Sequence, residues 1–155
     1  MATHGPEELR REGRAVRAHT RASLMSDSKW RKLLAALDRP GLELGQCVVK
    51  FVGIPEERVV GQSFWLHPPR PWVDTLAWGP IALRSIEWLL FPRVALHDRS
   101  DRRFPRRRVE QDVYQAARIV ATLGRYPVEL SERGLLIIGH LPARTASPLT
   151  GGRSS

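Results

Sequence analysis

The chain has 155 residues, 42% of them hydrophobic, with 25 Lys and Arg against 16 Asp and Glu for a formal net charge of +9. That length predicts one domain with a real core, and no apolar run reaches the 18 or more residues of a membrane span. The lone cysteine, Cys47, excludes an intramolecular disulfide; with no apolar signal segment near the start, it fits a reducing cytoplasm.

Residues 1–24 carry five arginines but only Leu9, Val16 and Leu24 as sizeable apolar side chains. They predict a loose basic extension ahead of a single domain over 25–142, with a disordered tail over 143–155. From Asp27 the pattern sharpens. Trp30, Leu33, Leu34 and Leu37 fall at helical spacing, Ser26, Asp27 or Ser28 can cap the start, and Pro40-Gly41 ends the element. The β-branched run from Cys47 to Val52 and a weaker one from Arg58 to Leu66 predict two strands able to pair as a hairpin.

The stretch from Phe64 to Pro92 holds four of the five tryptophans, Trp65, Trp72, Trp78 and Trp88. Pro68, Pro69 and Pro71 make a stiff turn, and Ile86 to Phe91 reads as a buried strand that resumes through Val94 to Leu96. His97 to Arg108 holds six arginines and two aspartates, a local +4, and predicts a solvated loop. A helix beginning near Val109 follows from the stripe Val109, Val113, Ala116, Ala117 and Val120, with Gly124 at its end. After the Tyr126-Pro127 connector, Gly134 to Leu141 is apolar enough to be a central strand. The fold class is therefore α+β: a small, mostly antiparallel sheet of about four strands covered by two helices.

Chemical motifs are scarce. His97-Asp98 lacks the further ligands a metal phosphohydrolase needs, and no GxGxxG or P-loop occurs, so neither a metal nor a cofactor is expected. Cys47, in an apolar strand, reads as an inert core thiol. Glu87 stands between Ile86 and Trp88. On a regular strand those two face the core and Glu87 points away, where Arg84 or Arg70 would pair with it. Asp74, Glu87, His67 and His140 are the remaining acid–base candidates, and asparagine is absent from the chain.

The pieces Trp72-Val73-Asp74-Thr75, Gly79-Pro80-Ile81, Ile86-Glu87-Trp88 and Glu132-Arg133-Gly134-Leu135 resemble a family of small uncharacterised bacterial proteins, a domain of unknown function. The likeness spans about Met25 to Leu141. It implies a stand-alone bacterial domain, a size class that includes many immunity proteins, and it transfers no catalytic residue.

Three functions follow as expectations. The first is a non-enzymatic, cytoplasmic, immunity-like or regulatory domain that binds a protein partner through Trp65, His67, Arg70, Trp72, Asp74 and Trp78. The second is a nucleic-acid-associated protein using Arg99, Arg102, Arg103, Arg106, Arg107 and Arg108, with Phe104 either stacking on a base or packing back. The third is an enzyme around Asp74 and Glu87.

Overall fold

The computed structural model describes residues 20–61, 65–66, 72–75 and 79–142. Residues 1–19, 62–64, 67–71 (with His67 and Arg70), 76–78 (with Trp78) and 143–155 lie outside the described residues. In chain order the elements are β1 (Thr20–Ser23), α1 (Asp27–Leu37), β2 (Gln46–Phe51), β3 (Arg58–Gly61), β4 (Trp65–Leu66), β5 (Trp72–Thr75) and β6 (Gly79–Ala82). A single 3₁₀ turn over Leu83–Ser85 leads to β7 (Ile86–Pro92), β8 (Val94–His97), β9 (Arg107–Glu110), α2 (Val113–Leu123), β10 (Val128–Ser131), β11 (Gly134–Ile138) and β12 (His140–Pro142).

The main sheet has five strands in the order β10-β11-β7-β2-β3, antiparallel throughout, so α+β holds and the expected count of about four is one short. The missing strand is β10. Its sequence VELS is too short and too polar to stand out beside Pro127. β7, not β11, is the central strand.

Both helices cover one face. Trp30, Leu33, Leu34 and Leu37 of α1 and Val113, Ala116, Ile119 and Val120 of α2 are buried with Cys47, Val49, Phe51, Leu89, Phe91, Leu135 and Ile137 of the sheet. The start of α1 is set by Ser26, whose hydroxyl accepts from the Lys29 N–H at 3.2 Å. Met25 and Trp30, immediately before the cap and four residues beyond it, are both buried, the pattern of a hydrophobic staple.

One irregularity corrects the expected facing of β7. Lys50 stands opposite Trp88 but Phe51 stands opposite Ile86, so Glu87 is an extra residue, a β-bulge. The two-residue alternation breaks there. Ile86 stays in the core with Leu89 and Phe91, while Trp88 moves to the far face beside Lys50 and is only half-buried. Gly139 permits this join: its N–H donates to the Glu87 carbonyl at 2.7 Å, and a Cβ there would collide with the Ile86 carbonyl oxygen.

The chain is ordered before Met25, inside the segment read as an extension. β1 pairs with β12, and the Leu24 N–H donates to the Gly139 carbonyl at 2.8 Å. A chain starting at Met25 leaves β12 without that neighbour. It should lose about 1–3 kcal/mol in urea unfolding relative to one starting at Thr20, the scale of a few backbone hydrogen bonds; equal midpoints would show that β1 adds nothing.

Candidate nucleic-acid interface

The segment read as a solvated loop running into a helix is a β-hairpin. β8 and β9 pair antiparallel, Val94 opposite Glu110 and His97 opposite Arg107, and α2 starts only at Val113. Val109 is thus a strand residue. Its four-residue spacing from Val113 mimicked a helical stripe. Ala95 is fully buried and roots the hairpin, while Arg99, Arg102, Arg103, Arg106, Arg107 and Arg108 are all exposed.

Two glutamines fasten this hairpin to the sheet. Gln111, 6% exposed, donates from Nε2 to the Gln46 carbonyl at 3.0 Å and the Pro92 carbonyl at 2.7 Å. Its Oε1 accepts from the Gln46 N–H at 2.8 Å. The Gln46 side chain then pairs with Leu96 of β8, donating to its carbonyl at 3.0 Å and accepting from its N–H at 3.1 Å. Each amide acts as an extra peptide group, so β2, β7, β8 and the approach to α2 share one network. Asp112 adds to it by accepting from the Glu43 N–H at 2.9 Å instead of capping α2.

Inside the loop the acids are engaged. Asp101 accepts from the Arg103 N–H at 3.0 Å and is gripped by the same residue's guanidinium at 3.1 and 2.8 Å, so these bonds hold its carboxyl below the usual value. Asp98 pairs with Arg106 at 3.0 Å. Among the described residues Arg99, Arg102, Arg107 and Arg108 make no ion pair. Phe104 is 58% exposed and does not pack back. With Asp98, Arg99, Arg102 and Arg106 it lines a hollow of about 310 Å³ at the tip.

Comparison with protein-family models, curated proteins and solved structures returned no match to this chain.

The other candidate residues fall elsewhere. Trp65 stands opposite Asp74, and Trp72 opposite Ala82, in a three-stranded meander of β4, β5 and β6. Glu87 pairs with Lys50 and not with Arg84, because the strand beside the bulge is β2; the other expected partner, Arg70, lies outside the described residues. Arg84 instead holds Asp27 at 3.1 Å, and its carbonyl accepts from His140 Nε2 at 2.7 Å. Asp27, Trp30, Arg84 and His140 each keep one buried polar atom without a partner, at a seam joining α1, the 3₁₀ turn and β12. Glu87 and Asp74 lie in different sheets, so the expected enzyme pair is not assembled through the main sheet. Among the described residues no three His, Cys, Asp or Glu side chains gather as a metal would need, and no helix is long and apolar enough to cross a membrane.

Arg93 and Arg118 line a second hollow of about 440 Å³ at the hairpin root, but Glu110 and Asp112 line it too. Acidic side chains therefore accompany the basic ones at the root of the hairpin.

Gln111 should be the residue the hairpin cannot lose. Gln111→Leu strands the Gln46 N–H and two half-buried carbonyls, at a cost of roughly 3 kcal/mol. Urea unfolding gives the loss, and amide exchange at Leu96 should accelerate; unchanged exchange would show the hairpin is held by other contacts.

Burial pushes the Cys47 thiol from 9.0 up to about 12. The folded state keeps the proton that the unfolded state releases. The stability this contributes is complete below pH 9 and is lost as pH rises towards 12. Cys47→Val should lack this part of the alkaline decline, as measured by urea unfolding on both sides of pH 9; an identical decline would place the titration elsewhere.

Proposed function

We propose that this protein binds nucleic acid through the β8–β9 hairpin and acts as a binding module, not an enzyme. The observation that carries the reading is where the charge sits. Between Met25 and Pro142, eighteen Lys and Arg against thirteen Asp and Glu leave +5, and the twelve residues from His97 to Arg108 hold +4 of it. A codon-driven surplus of arginine spreads over a surface; this one is gathered on a projecting hairpin. Arg99, Arg102, Arg107 and Arg108, free of acidic partners, are suited to phosphate oxygens, which guanidinium groups grip in bidentate fashion.

A second reading keeps the partner-binding surface at the meander. Its support is the register that sets Trp65 opposite Asp74, an aromatic and a carboxylate on neighbouring strands, with Trp72 two positions from Asp74 on the same strand. A protein partner of the immunity-like or regulatory kind belongs to this reading.

Salt separates the two. Each phosphate neutralised adds about 0.9 to the slope of log affinity against log salt on duplex DNA, and about 0.7 on single strands. Changing Arg99, Arg102, Arg107 and Arg108 together to Ala should flatten that slope by roughly three units, whereas Arg103→Ala, which removes an arginine already engaged by Asp101, should flatten it by less than one. A slope untouched by the fourfold change would remove the hairpin from nucleic-acid binding.

A further inference from the structure

Resting on the nucleic-acid reading of the hairpin, we infer that its tip is a single-strand site: the hollow beside Phe104 receives one unstacked base, and Arg99 and Arg102 take the phosphates flanking it. The ring at the tip carries the argument. Phe104 is a large apolar side chain left 58% exposed on a nine-residue loop, beside a hollow of about 310 Å³ whose other lining groups are charged. That size lies at the lower end of small-molecule sites, roughly 300–1,000 Å³.

The loop holds the ring out. Asp101 closes the turn by binding both the N–H and the guanidinium of Arg103, and the Phe104 N–H donates to the Asp101 carbonyl at 3.2 Å. Asp98 and Arg106 form a second brace across the loop. Both aspartates are thus engaged in shaping the tip, and a pre-shaped site spends less of its binding energy on ordering itself. In a duplex the base faces are stacked and a groove offers only base edges and backbone, which reward hydrogen-bonding side chains. There an exposed ring reaches only thymine methyls, or enters the stack at the cost of unstacking a base step. In a single strand every base presents a face, and stacking on an aromatic ring beside cationic phosphate contacts is the usual arrangement of single-strand binders.

The test uses the full chain and fluorescence anisotropy with a labelled oligothymidylate of about twelve nucleotides, against a labelled duplex of equal length. The single strand should bind at least about tenfold tighter at low salt. Phe104→Ala should weaken it by roughly 5- to 100-fold, the worth of one stacked base, without changing the salt slope, because no charge is lost. Phe104→Tyr should restore binding. The ring is exposed, so both variants should melt with the parent. Equal affinity for the two probes, weakened alike by the fourfold arginine change, would leave the nucleic-acid reading standing and overturn the single-strand site. Preference for the single strand that survives Phe104→Ala would overturn it as well. Binding to neither probe would overturn both.

Discussion

The arrangement of this protein hangs on the side-chain amide of Gln111. It is buried, it stands where β9 ends and α2 is about to begin, and it makes three hydrogen bonds to the backbone of β2 and β7. A buried amide left unpaired is costly, so each of these bonds matters more for what its absence would leave than for its own net worth. Through Gln46 the same network reaches β8. The hairpin is therefore tied to the central strand of the main sheet and to one of its neighbours. A loop anchored this way keeps its exposed tip in shape without help from a partner.

The distribution of charge has a second consequence. Arginines crowded on one loop repel each other, and without relief the loop would splay into an ensemble. Asp98 and Asp101 provide the relief locally, each pairing with one arginine. Exposed pairs of this kind add little to global stability. Their effect is on shape: Arg103 and Arg106 become parts of the loop's frame, while Arg99, Arg102, Arg107 and Arg108 face solvent. In the sequence the two acids look like interruptions of a basic run. In the fold they divide six arginines into two that build and four that remain available.

Elements with strong local signals were legible from the residues. α1 follows from the spacing of Trp30, Leu33, Leu34 and Leu37 and from Ser26, and the β2–β3 hairpin from its β-branched runs around Gly53. What failed depended on partners far along the chain. The bulge at Glu87 exists because β7 meets β2 there, so neither the outward turn of Trp88 nor the Lys50 partner of Glu87 could be read from the alternation of Ile86, Glu87 and Trp88. Val109 satisfied a helical period and a strand position equally well. Gln46 and Gln111 carried no signal: a glutamine among polar neighbours reads as surface, and only the meeting of three strand ends makes it a clamp.

In the proposed reading, the four unpaired arginines of the hairpin also set a physical limit. On a single strand, four phosphate contacts give a slope near three, so raising salt fourfold weakens binding by roughly 50-fold. A base stacked on Phe104, as proposed, would add a term that salt does not touch. A single hairpin of this size is thus a weak, readily released grip unless something else holds the same ligand. A second contact on the same molecule would convert that release into retention by effective concentration alone, with no new contact at the hairpin. A protein partner at the meander, the second reading, would respond to salt differently: an aromatic contact persists as salt rises, and an arginine contact fades.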